Sequence, residues 1–140
     1  MHTNGAVQTL NRIIDVFPAN HQARVRTILS FVLVGVISQN LLPVDEGKGR
    51  ALALEIMVPQ PGMRSLIRDD KLHQIYAAMQ MGQSESGNLT LNQSLMSLVK
   101  NGRITAETAL IKSLEEAELK NMLKQEGYVV GRTDHVKNRR

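Results

Sequence analysis

The sequence contains no cysteine among its 140 residues, which excludes a disulfide framework and a thiolate metal site. Aromatic residues are also scarce: two phenylalanines, two tyrosines and no tryptophan are too few for a base-stacking platform. The longest apolar stretch, Ile28 to Ile37, is about half the length that a bilayer span requires. The first residues do not resemble a secretion signal. These absences predict a cytoplasmic protein with a single ordinary core.

A phosphate-binding loop is also missing, because the pattern G-x-x-x-x-G-K-[ST] occurs nowhere in the chain. The stretch Gly47-Lys48-Gly49-Arg50 lacks the upstream glycine and the hydroxyl residue after lysine, and we interpret it as a hairpin turn. No histidine or carboxylate spacing suits a metal ion, and Ser84 and Ser86 have no histidine positioned beside them by sequence. The chain alone is therefore predicted to bind no cofactor and to be inactive as an enzyme.

The net charge of +4 and the pI near 9.7 could suggest a nucleic-acid partner. Lys137, Arg139 and Arg140 account for much of this excess, and the other basic residues are mixed with acidic ones, as on a solvated surface. Thr90 to Lys112 resembles a helix-turn-helix, but Ala106 to Lys112 offers few side chains that read bases. We expect no nucleic-acid binding.

Apolar periodicity predicts that the first part of the chain forms two helices and a hairpin. A short helix carries Val7, Leu10, Ile14 and Phe17 and ends at Pro18, and a second runs from Asn20 to Ile37. Because the second helix is apolar on nearly every side, we expect it to be buried all round. Residues 41–44 and 50–58 flank a charged glycine turn and predict a β-hairpin. Apolar residues alternate along its second strand and predict one apolar face: Leu52, Leu54, Ile56 and Val58.

The remainder is predicted to be helical. Pro61 opens a helix that ends near Asp69, and Asp70 caps the next helix. Residues 82–88 form a polar loop without a core contribution. Capping boxes at Thr90–Gln93 and Ser113–Glu116, with Thr105 between them, start three further helices up to Gly127. The chain is thus expected to be mostly α-helical with one β-hairpin and a C-terminal helical subdomain.

The helix after Pro61 carries an arginine pair. Arg64 and Arg68 lie four residues apart on one face, while Met63 and Ile67 share an apolar face. Two arginines on a short rigid helix can bind a carboxylate or a phosphate bidentately. The alternative is a surface helix whose arginines pair with Asp69 or Asp70 at little gain in stability.

The same helix carries a family resemblance. Gly62-Met63-Arg64-Ser65-Leu66-Ile67-Arg68-Asp69 resembles the AIRNLIRE motif of the PilT-like ATPases that retract type IV pili, which belong to the secretion-ATPase superfamily. His2-Thr3-Asn4-Gly5-Ala6 resembles the superfamily's His box, and two further stretches fit in the same order: Asn11 to Pro18 and Glu55 to Met57. The absence of cysteine also fits retraction members, since extension-type members usually carry a four-cysteine zinc insertion. The chain departs from the motif at Gly62, Met63, Ser65 and Asp69.

The resemblance implies a RecA-like α/β parent of which this chain is a C-terminal part. Residues 1–82 would belong to the ATPase core, 83–127 to a helical subdomain, and 128–140 to a disordered basic tail. The complete protein would be a hexamer that hydrolyses ATP with Mg²⁺ and drives twitching motility, at the cytoplasmic base of the pilus beside the inner-membrane platform protein. His2 would reach the terminal phosphate in the intact enzyme, whose Walker motifs lie outside this chain. The alternative is a non-enzymatic helical interaction module, either an adaptor or a nucleic-acid binder.

Overall fold

The computed structural model describes residues 4–45, 47, 49–81 and 83–130. None of the helices in this part of the chain is long and apolar enough to cross a bilayer. The elements follow one another as α1 (Ala6–Asp15), α2 (Ala19–Val32), β1 (Val36–Pro43), β2 (Arg50–Met57), α3 (Pro61–Arg68), a 3₁₀ turn (Leu72–Gln74), α4 (Ile75–Gln80), α5 (Gln83–Ser86), α6 (Leu91–Lys100), α7 (Ala106–Lys112) and α8 (Glu116–Gln125).

The hairpin is confirmed, but its first strand begins earlier than the sequence predicted. β1 pairs antiparallel with β2, with Val36 opposite Met57. The expected helix up to Ile37 is therefore wrong, because α2 ends at Val32 and the chain is extended from Leu33. Alternating β-branched residues after Phe31 favour a strand over a helix. Gly35 allows the close approach of the strands, since a Cβ there would lie 3.2 Å from the carbonyl oxygen of Met57.

The predicted apolar face of β2 is also wrong, because the opposite face is buried. Ala51, Ala53, Glu55 and Met57 are buried, whereas Leu52 is 44% exposed. Helix α6 packs against this buried face, where small alanine side chains allow a helix to come close. The alternation of apolar residues predicted the strand correctly, but the helix that packs on the strand determines which of its faces is buried.

Helix α2 is not surrounded by protein, contrary to the prediction. Ser30 is the one residue of α2 that is buried, and it lies beside Phe31, which is 72% exposed. Arg26 on the same helix pairs with Asp70, and its Nη1 atom lies 3.5 Å from Oδ1. One side of α2 therefore packs on α3 while its apolar C-terminal end faces solvent.

Two hydrophobic cores lie along the chain, and the hairpin contributes to both. The N-terminal core contains Ala6, Leu10, Ile14, Met57, Met63, Ile67, Leu72, Ile75 and Met79. The C-terminal core contains Leu42, Ala51, Ala53, Leu91, Leu95, Met96, Val99, Ile104, Ala109, Leu119 and Leu123. On the buried face of β2, Glu55 stands between the residues of one core and those of the other.

The helices of the C-terminal core begin largely as the sequence predicted. Thr90 and Gln93 form the capping box of α6, and the Thr105 hydroxyl accepts the Thr108 N–H at the start of α7. The second capping box is wrong, because α8 starts after Glu115 without a side-chain cap. The Ser113 hydroxyl is instead directed to Asn92, to whose Oδ1 it donates at 2.6 Å.

Two segments predicted to be irregular contribute to the structure. Asn88 is buried, and its Oδ1 accepts the Val58 N–H at 2.7 Å, so the polar loop fixes the end of the hairpin. Tyr128 and Val130 pack against the C-terminal core. The expectation of a disordered tail is therefore wrong for these residues, and its remaining part, residues 131–140, lies outside the described residues.

Candidate functional site

The motif helix α3 is held by its apolar face. Pro61 occupies its first turn, where a missing N–H costs no helical hydrogen bond. Met63 and Ile67 are 2% and 0% exposed and belong to the N-terminal core. This packing leaves the arginine side of the helix to face α2 and solvent.

Arg64 is a tertiary cap for helix α2. Its Nη1 donates to the carbonyl oxygen of Ser30 at 2.8 Å, and the carbonyl oxygen of Phe31 lies 3.4 Å away. These carbonyls belong to the last turn of α2, where no intrahelical donor is available and the helix dipole is negative. The guanidinium thus satisfies the C-terminus of a neighbouring helix.

Arg68 takes a different partner. Its Nε donates to Oδ1 of the adjacent Asp69 at 3.2 Å, and both side chains are about half exposed, at 45% and 48%. The two arginines therefore contact different protein acceptors, and their joint binding of an anion stays a prediction. For Arg68 the structure matches the alternative of a surface ion pair, whereas Arg64 fits neither expectation.

The remaining motif positions contribute within the helix. Gly62 is exposed and Leu66 is partly buried against the N-terminal core. The Ser65 hydroxyl donates to the Pro61 carbonyl oxygen at 3.4 Å, so this departure from the motif's asparagine is used inside α3. The motif acts in this structure mainly as a packing and capping element.

The start of α1 is anchored by a buried carboxylate. His2 lies outside the described residues, but Ala6, at the first turn of α1, donates its N–H to Oε1 of Glu55 at 2.7 Å. Gly5 has extended backbone that any residue can adopt, yet a Cβ there would lie 3.0 Å from the same oxygen. A side chain at this position would crowd Glu55 and also Leu114, whose Cδ1 would lie 3.1 Å from the same Cβ, so the close packing favours glycine.

Glu55 contacts a second helix as well. The N–H of Leu91, the first residue of α6, donates to its Oε2 at 3.4 Å. The carboxylate thus binds the positive ends of two helices that belong to different cores. Burial raises the pKa of Glu55 above its ordinary value of 4.5, although the hydrogen bonds from Ala6 and Leu91 oppose that rise.

A second carboxylate, Glu118 on α8, joins the two cores nearby. It accepts hydrogen bonds from the Tyr76 hydroxyl and from the side-chain amides of Gln80 and Asn92. Asn92 is 1% exposed and also donates to the Glu115 carbonyl oxygen at 2.9 Å. Burial, followed by the contact with Glu118, raises the pKa of Tyr76 above its ordinary value. This network fixes α4 against the C-terminal helices.

Most of the hydrogen-bond network that Glu55 and Glu118 form between the two cores is not evident in the sequence. Glu55 stands out there only as part of a resemblance, and Asn92, Tyr76 and Glu118 have the pattern of ordinary helix residues. One signal exists for Glu55, because a carboxylate between Leu54 and Ile56 in a strand with an apolar neighbourhood needs a specific partner when it is buried. The other residues come together only through tertiary packing.

Comparison with known proteins identifies similar sequences, although no family profile matches the chain. A "twitching motility protein" of Neisseria gonorrhoeae is 49% identical over 109 residues, which are 78% of this chain and 29% of that protein. A "type IV pilus retractation ATPase PilT" of Pseudomonas aeruginosa is 46% identical over 113 residues, which are 81% of this chain and 32% of that protein.

A solved structure agrees with these relatives. The crystal structure of the pilus retraction motor PilT with bound ADP superposes with a TM-score of 0.76 at 48% identity, over 87% of this chain and 33% of that one. This chain thus spans 29–33% of the length of the proteins it matches. In sequence and in fold it is similar to a C-terminal part of the PilT-like type IV pilus retraction ATPases.

Proposed function

We propose that this chain forms the C-terminal part of an ATP-hydrolysing motor that retracts type IV pili and so drives twitching motility. The proposal depends on one observation, the similarity of this chain to retraction motors. The chain is 46–49% identical to proteins named for twitching motility and pilus retraction, and its fold resembles that of an ADP-bound retraction motor. Residues 1–82 would complete the RecA-like core of the motor, and residues 83–127 would form its helical subdomain.

The complete motor would be a homo-hexamer at the cytoplasmic base of the pilus, acting on the inner-membrane platform protein. These features come from the family resemblance of the motif helix and the His box. Within such a motor, Arg64 would hold α2 on the motif helix, and Arg68, whose side chain is 45% exposed, would be the motif arginine available for another subunit. His2 would act beside the terminal phosphate.

We expect the described residues not to bind ATP or Mg²⁺ by themselves. Gly47 and Gly49 lie in the hairpin turn with φ values of 117° and 135°, and they precede a strand rather than the helix that a phosphate-binding loop requires. No group of three histidine or acidic side chains among the described residues could hold a metal ion. The nucleotide would therefore be held by parts of the motor outside this chain.

A chimaeric motor tests the proposal. The C-terminal part of the Pseudomonas relative is replaced by the matching residues of this chain and expressed in a strain that lacks its own copy. We expect the chimaera to restore twitching, measured as the width of the motility zone. The isolated chain should show no heat of binding when titrated with ATP and Mg²⁺, since it lacks convergent phosphate-binding amides and their lysine.

Ile67→Asp in the chimaera serves as a control, because a charge in the N-terminal core should prevent folding and motility together. Immunoblotting and size-exclusion chromatography establish that the unmodified chimaera accumulates as an oligomer. A chimaera that assembles normally but neither hydrolyses ATP nor restores twitching would refute the proposed function. ATP binding by the isolated chain in the micromolar range would refute the assignment of the nucleotide site elsewhere.

A further inference from the structure

A cavity of about 370 Å³ opens between the two cores. Its size falls within the range of small-ligand sites. Val7, Leu72 and Leu114 supply apolar walls, while Glu55 and Glu115 supply carboxylates. Neither lysine nor arginine is among the described residues that line it.

Glu55 is the unusual member of this lining. It is 4% exposed, and the ion pairs formed within the described part of the chain do not include it. Buried carboxylates are normally paired with a cation, because two backbone N–H groups offset only part of the lost hydration. The raised pKa of Glu55 has the same physical cause, which is burial without a compensating positive charge.

Other lining groups suit an elongated cation. The Tyr76 and His73 rings line the cavity, and a guanidinium can stack on an aromatic face while it donates to a carboxylate. An alkyl chain would lie against the apolar walls. The exposed carboxylate of Glu115 adds a second acceptor near the rim. The lining therefore combines one buried acceptor, one exposed acceptor and apolar walls.

We propose that this cavity binds an alkyl guanidinium, the chemistry of an arginine side chain, and that the basic segment 131–140 of this chain supplies it. That segment holds four basic residues and one acidic residue. Val130, which immediately precedes it, lines a groove together with Glu116, the neighbour of Glu115 in sequence. Ten residues can span up to roughly 33 Å when extended.

Butylguanidinium is the probe, with the neutral isostere butylurea as its control ligand. The tested protein is the full chain in which the four basic residues of the segment are neutralised: Arg132→Gln, Lys137→Gln, Arg139→Gln and Arg140→Gln. NMR titration follows the backbone amides of Ala6 and Leu91, both of which donate to Glu55. We expect saturable shifts with butylguanidinium and none with butylurea. With the native segment present, competition should weaken probe binding several-fold.

Matched substitutions locate the site. Glu55→Gln should weaken the probe by about tenfold or more through loss of a charge-assisted pair. Because Glu55→Gln could also loosen both helices, Glu115→Gln provides a second variant on the exposed rim, with an expected loss of about threefold. Glu116→Gln is the control, since its carboxylate lines the other groove and pairs with Lys120. It should leave binding unchanged.

Two results would overturn the proposal. If the charge-neutralised chain shows no saturable shift with butylguanidinium, or the same loss with Glu116→Gln as with Glu115→Gln, the cavity is not a guanidinium site. If probe affinity is equal with and without the native basic residues, segment 131–140 is not the occupant of the site. All measurements use this chain alone, so their outcome does not depend on whether it belongs to a motor.

Discussion

The two cores of this protein secure their helix ends in different ways. Around the C-terminal core, Thr90 and Thr105 cap α6 and α7 from one residue outside them, although α8 begins without a side-chain cap. Around the N-terminal core, α1, α2 and α3 have no side-chain cap at their N-termini. Their ends depend on distant residues: Glu55 binds the start of α1 from 49 positions away in sequence, and Arg64 binds the end of α2 from 34 positions away.

Exposed apolar residues follow the same division. Phe31, Val32, Val34 and Ile37 are 62–84% exposed and nearly consecutive, at the junction of α2 and β1. In the C-terminal region Ile111 and Val129 are comparably exposed, but they lie far apart in sequence. The C-terminal region is thus specified mainly by local signals, whereas the N-terminal region relies on long-range contacts and leaves an apolar surface open. A continuous surface of this kind is typical of an interface.

The largest expected effect concerns the long-range cap. Arg64→Ala should lower the free energy of unfolding by about 1.5 kcal/mol, as hydrogen bonds to a charged donor typically contribute, because the carbonyls at the end of α2 lose their donor. Arg68→Ala, one turn further along α3, is the matched control and should cost about 0–1 kcal/mol because its ion pair is exposed. Urea denaturation of both variants provides the comparison.

Equal costs for the two arginines would mean that α2 does not need Arg64, and the contrast between distant and local capping would fail for this helix. A cost confined to Arg64 would separate the structural arginine of the motif from the one that is available for another role. Twitching assays on the same pair in the chimaeric motor would then ask whether Arg68 alone affects motility without affecting stability.

A smaller effect is expected for the local cap. Thr90→Ala should cost about 1 kcal/mol, the usual contribution of a hydroxyl at a helix N-terminus. Gln60→Ala, at the equivalent position before α3, should change stability by only about 0–0.5 kcal/mol because its side chain does not cap that helix. Thermal unfolding followed by circular dichroism measures both. A loss at Gln60 as large as that at Thr90 would show that the N-terminal region is capped locally after all.

The smallest change in stability is expected at the exposed surface, where the readout is association. Phe31→Ser with Val34→Ser should alter the free energy of unfolding by about 0.5 kcal/mol or less but reduce self-association. Ile111→Ser is the control, since a single exposed apolar residue should contribute little to association. Static light scattering across a concentration series measures the effect. If the unsubstituted chain is a monomer at all concentrations, the open surface does not drive association.

Much of the molecule follows from neighbouring residues alone. Four features could be predicted because each depends on residues within a few positions. They are the capping box at Thr90, the hairpin turn after Val44, the start of α3 at Pro61 and the apolar spacing of Met63 and Ile67. The family motif could also be recognised from the sequence, since a resemblance requires only the identity of the residues and their order along the chain.

Tertiary structure decided the remainder. The apolar periodicity predicted a helix that continues past Val32. Periodicity takes no account of strand pairing, and here the pairing of Val36 with Met57 competes with the helix for the same residues. Helix α6 determines which face of β2 is buried, and the end of α2 supplies the carbonyl oxygens that Arg64 binds. Spacing in the sequence determines which side chains share a face. Only the positions of distant elements determine what that face meets, since the favourable partners of a charge or a strand can be dozens of residues away.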